Sequence, residues 1–118
     1  MSSMADEPTS VTHDSIKYDR MADGTLAAWI HPTPDTGLLR RLADVLVADL
    51  GGKMGKRLDG VDQVYWDFVV DRVKLTLHSE HYLGIAVLAN SRQADAEATL
   101  RRVAEKLCSS VSDAERGG

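Results

Sequence analysis

Aromatic side chains are scarce in this chain: one phenylalanine, two tryptophans and three tyrosines make up 5% of its 118 residues, and there is a single cysteine. With one thiol, Cys108 has no partner for an intramolecular disulfide, which removes the stapled secreted scaffolds and suits a reducing cytoplasm. No run of 18 apolar residues exists that could cross a bilayer as a helix. The first ten residues have neither the basic nor the apolar region of a signal peptide. Basic excess is missing too, since the formal net charge is −4 and the pI near 5.5, which disfavours non-specific binding to nucleic acid or anionic lipid. The expectation is a cytoplasmic protein with neither nucleic acid nor membrane among its partners.

What is present fits one folded unit, with 43% apolar and 27% charged residues. The charge is unevenly placed. Asp6, Glu7 and Asp14 stand in an N-terminal stretch without a base, and Asp113 and Glu115 lie near the other end with Arg116. Residues 15–110 hold equal numbers of acids and bases. We therefore expect a single domain over 15–110 flanked by disordered tails at 1–14 and 111–118.

Within the domain, Ile16 to Met21 and Leu26 to His31 flank an Asp23-Gly24 pair, a hairpin signal because glycine accepts the positive φ of a tight turn. Pro32 and Pro34 end that hairpin. Leu39, Leu42, Leu46 and Leu50 then recur at helical spacing, predicting a helix from Asp35 to Leu50 that stops at Gly51-Gly52. Gly51 to Gly60 reads as a connector carrying Lys53, Lys56 and Arg57. Its spacing is not that of a phosphate-binding loop, so no nucleotide cofactor is expected, and at most it offers a weak anion contact. A second helix is predicted from Ser91 to Cys108, with Ala96, Leu100, Val103 and Leu107 buried.

Between the helices, Val64 to Ala89 alternates apolar and polar residues in three runs. A two-residue turn at Asp71-Arg72 sets Val70 opposite Val73, Phe68 opposite Leu75 and Trp66 opposite Leu77. A turn around Ser79-Glu80-His81 sets Leu77 opposite Leu83, Leu75 opposite Ile85 and Val73 opposite Val87. One face then holds Trp66, Phe68, Val70, Val73, Leu75, Leu77, Leu83, Ile85 and Val87, and the helices can cover it. The predicted fold is an α+β two-layer sandwich, an antiparallel sheet with two helices on one face, in the order β-β-α-β-β-β-α.

The same pairing predicts the outer face as rows: Tyr65, His78 and Tyr82; Asp67, Thr76 and Gly84; Val69, Lys74 and Ala86. With Glu80 and His81 in the adjacent turn, Tyr65, Asp67, His78, Glu80, His81 and Tyr82 gather at one end of the sheet as the candidate binding residues. His78 as general base, tuned by Asp67 across the diagonal and helped by a Tyr65 hydroxyl, is the enzymatic reading. His78 and His81 across the turn, with Asp67 as a third ligand, belong to the same alternative as a metal-binding reading, but His78, Glu80 and His81 fit no established metal spacing, and no metal or cofactor is expected. The tyrosines with Val69, Ala86 and Leu88 also have the composition of an interface, so a protein partner or homodimer is the leading functional expectation. In general outline the frame resembles compact bacterial proteins that act by binding other proteins, such as immunity proteins and secretion chaperones. Its order of elements departs from the usual secretion-chaperone pattern, and no residue role carries over.

Overall fold

Two hydrophobic periods alternate along the chain, and each segment folds as its period requires. The computed structural model describes residues 16–117, so the predicted acidic tail at 1–14 lies outside the described residues. The elements are β1 (Lys17–Arg20), β2 (Leu26–His31), α1 (Thr36–Leu50), β3 (Lys53–Asp59), β4 (Gln63–Val70), β5 (Val73–Glu80), β6 (Gly84–Ala89) and α2 (Ala94–Gly117). The strands form one antiparallel sheet ordered β1-β2-β6-β5-β4-β3. Both helices pack on one side of it, giving the two-layer α+β sandwich with one strand more than the sequence reading contained.

The first hairpin closes as expected. Gly24 adopts φ 88°, and the Asp23 carboxylate accepts hydrogen bonds from the Thr25 amide at 3.0 Å and the Thr25 hydroxyl at 2.6 Å. Helix α1 is capped by Asp35, whose carboxylate accepts from the Leu38 amide, and ends at Gly51 with φ 66°. Leu39, Leu42 and Leu46 of α1 meet Leu100, Val103 and Leu107 of α2 and the β4–β6 residues Phe68, Leu75, Leu77, Ile85 and Val87 in one core. Each fully buried side chain of this size contributes roughly 1.5–3 kcal/mol.

The β4–β5 register is as predicted, with Val70 opposite Val73, Phe68 opposite Leu75 and Trp66 opposite Leu77. The β5–β6 register is not. Strand β5 runs on to Glu80, which faces Gly84, so Leu77 pairs with Val87, Leu75 with Ala89 and Ser79 with Ile85. The turn therefore lies at His81 to Leu83 rather than at Ser79 to His81. Every β5 partner sits four residues further along β6 than expected, and an even shift keeps each side chain on its expected face, so alternation could not detect it. Leu83 consequently leaves the core and is exposed, and Ala89 takes a place there.

Three further differences have local causes. The segment expected to be a connector forms β3, an edge strand whose charged residues face solvent and hide its alternation. A bulge between Met54 and Arg57 shifts its register against β4. Helix α2 starts at Ala94 rather than Ser91, because the Ser91 hydroxyl turns back to accept from the Gln93 amide at 3.3 Å. At its other end it continues past Cys108 to Gly117, through the expected tail, because Val111 extends the buried stripe of Val103 and Leu107. Cys108 itself is buried, in the core position the sequence suggested. Among the described residues no helix is long and apolar enough to cross a membrane.

Candidate functional site

Because both helices cover one side of the sheet, the other side is left to side chains alone. A single row crosses all six strands there: Leu58, Tyr65, His78, Ala86, Trp29 and Lys17 are successive cross-strand partners. A second row runs through Asp67, Thr76, Leu88, Ala27 and Asp19. Ala86 stands opposite His78 where Tyr82 was expected, and Leu88 stands opposite Thr76 where Gly84 was expected.

His78 is the centre of the first row and is only 3% exposed. Its imidazole stacks on Tyr65, ring centroids 4.4 Å apart, and meets Trp29 edge-on at 5.9 Å. Nδ1 lies 3.0 Å from the Val64 carbonyl, which can only accept, so this nitrogen carries a proton. Nε2 lies 3.3 Å from Glu80 Oε1. The acid at His78 is therefore Glu80, two residues along the same strand, rather than Asp67.

Asp67 is engaged elsewhere. Its carboxylate accepts from the Thr76 hydroxyl at 2.8 Å and lies 3.7 Å from the Lys74 ammonium. The Asn90 amide in turn donates to the Thr76 hydroxyl at 3.2 Å. The Tyr65 hydroxyl donates to the Gln63 side chain. His81 and Tyr82 sit on the β5–β6 turn, ring edge to face at 4.6 Å, and both are exposed. Of the six candidate binding residues, Tyr65, His78 and Glu80 thus form one contacting group, Asp67 belongs to a neighbouring polar chain, and His81 and Tyr82 form a third pair. Among the described residues no three His, Cys, Asp or Glu side chains are grouped so as to hold a metal ion. An imidazole packed between two rings and tied at both nitrogens has no open side for a substrate, and a general base must reach the proton it takes.

The pairing of strands did not reveal a cleft of about 670 Å³ at the β1 end of this face, lined by Lys17, Asp19, Met21, Trp29, His31, Pro32, Tyr82 and Leu83. Two backbone features build it. Strand β2 bulges between Trp29 and His31. Gly84, at φ 105°, comes so near the end of β2 that a Cβ there would lie 1.9 Å from the His31 carbonyl oxygen. That approach seats the Tyr82-Leu83 turn beside Trp29. The Pro32 and Gly84 positions were the available signals, but only the true β5–β6 register connects them.

A family model described as a protein of unknown function, DUF3630, matches residues 14–107, most of the chain. The chain belongs to this family. No curated protein and no solved structure matches it. The family match takes in all six strands and α2 as far as Leu107, so both the helix-free face and the cleft lie in the DUF3630 region.

Proposed function

We propose that this DUF3630 protein works by association rather than catalysis, and that the helix-free sheet face pairs with a second copy of the chain. The observation that carries this reading is where the exposed large apolar side chains fall. Met21, Leu58, Val61, Tyr65, Val69, Tyr82 and Leu83 all stand on this face or its rim, and among the described residues only Val47 is exposed on a helix. Apolar side chains gathered on one face mark an interaction surface.

The β3–β4 half suits a second copy. Leu58, Tyr65 and Val69 are interleaved there with Lys53, Lys74 and Asp67. A twofold axis lets the lysines of one copy meet the acid of the other, whereas a strongly acidic or basic partner would meet charges of its own sign. A core with equal numbers of acids and bases supports the exclusion of nucleic acid. A lone buried cysteine suits the bacterial cytoplasm.

Sedimentation velocity over a concentration series tests the reading. The chain should dimerise, and Tyr65→Ser with Val69→Asp should weaken the dimer at least tenfold while circular dichroism stays unchanged. A chain that remains monomeric up to millimolar concentration would end the proposal.

A further inference from the structure

We propose that the cleft beside Trp29 is a binding site for a free small molecule with an apolar body and one carboxylate. The cleft lies at the β1 end of the face, away from Leu58, Tyr65 and Val69, although its Met21, Tyr82 and Leu83 also belong to the exposed apolar set. The cleft is concave, and its volume of about 670 Å³ falls within the range of small-ligand pockets. Its apolar part is Met21, Trp29, Pro32, Tyr82 and Leu83.

The polar part is asymmetric. Lys17 is the cross-strand partner of Trp29 and enters no ion pair among the described residues. The Trp29 indole N–H likewise has no acceptor among them. Asp19, the acid of the cleft, accepts from the Arg20 amide at 3.0 Å and keeps its charge, two residues along β1 from Lys17, so the anionic head is placed at Lys17 and Trp29. His31 Nδ1 is directed back to the Thr33 carbonyl at 2.8 Å. An ammonium and an indole N–H on paired residues of an apolar cleft suit one anionic head. A lysine can also meet a phosphate, but the guanidinium fork, glycine nest or helix N-terminus that would add further donors for one is absent from the cleft lining, which favours the carboxylate.

The cleft is also a constructed feature. It depends on the β2 bulge and on the close approach of Gly84 to His31, both of which hold the Tyr82-Leu83 wall on rigid strand ends.

Titration of the ¹⁵N-labelled chain with octanoate, octanol and octylammonium, each below its micelle concentration, and separately with phosphatidylglycerol vesicles, provides the test. The Trp29 indole cross-peak is assigned with Trp29→Phe. Octanoate should shift this peak saturably. Lys17→Gln should weaken octanoate binding about tenfold and leave octanol unchanged, and Leu83→Ser should weaken both ligands. The same results in Tyr65→Ser/Val69→Asp would separate the cleft from self-association. Four outcomes overturn the proposal: no saturable shift, octanol or octylammonium binding as tightly as octanoate, no effect of Lys17→Gln, or a response only to phosphatidylglycerol vesicles.

Discussion

Asp71 and Arg72 form the two-residue turn between β4 and β5 with φ of 51° and 67°, although neither is glycine. Asp is among the residues that visit this region readily, and its carboxylate also pairs with Arg102 of α2. Arg72 has no such compensation at its backbone. Arg72→Gly should therefore raise stability by about 1 kcal/mol, read as a higher denaturant midpoint with unchanged slope. A second residue-scale effect concerns Glu97, whose carboxyl is held below its ordinary range first by the hydrogen bond from Arg20 and then by that guanidinium's charge. A carboxyl pKa lowered by folding adds stability above its unfolded value of about 4.5, and that stability is lost as pH falls through the lower folded value. Glu97→Gln should accordingly make acid unfolding below about pH 4.5 shallower, as followed by circular dichroism. Tyr18 shifts the other way: burial, then the nearby Glu105 carboxylate, pushes its phenol above the ordinary tyrosine value.

At the scale of elements, much of the fold was legible because sequence signals agreed with each other. The Asp23-Gly24 turn, the leucine stripe of α1 and the β4–β5 pairing each combine a period with a matching stop. Strand β3 was not legible, since Lys53, Lys56 and Arg57 read as connector residues, and the bulge interrupts the alternation of Met54 and Leu58. The Asp59-Gly60 pair that follows is the same hairpin signal as Asp23-Gly24 and could have exposed it. In the candidate site, the Tyr65–His78 pair followed from the β4–β5 register, while the cleft depended on the β5–β6 register, which an even shift conceals. Gly84 is the element-scale test of that register. Gly84→Ala would force a Cβ into the His31 and Pro32 backbone at a φ that disfavours any side chain, so it should cost at least about 3 kcal/mol or prevent folding. Thermal melts of this variant beside Gly51→Ala, where the added Cβ meets nothing within 4 Å, separate contact from backbone strain.

For the whole molecule, the placement of both helices on one side of the sheet governs everything else. It puts the large aliphatic residues of alternate strand positions in the core, with Tyr18 packed against them, and leaves Tyr65, His78 and Trp29 to the other side. If that face pairs with a second copy, folding and association are linked. The melting temperature should then rise with protein concentration, and the rise should vanish in Tyr65→Ser/Val69→Asp. Differential scanning calorimetry over a hundredfold concentration range measures this directly.

The strand order carries a consequence for how the chain comes together during synthesis. Besides β1, strand β2 finds its sheet partner in β6, whose sequence is made almost 60 residues later, whereas β3, β4 and β5 pair only with neighbours in the chain. The first hairpin and α1 thus leave the ribosome with apolar faces and nowhere to put them until Ala89 has emerged. The four-stranded ribbon that follows assembles from local contacts, and its last strand is the seat the waiting hairpin needs. The first hairpin can complete its pairing only once β6 has been made.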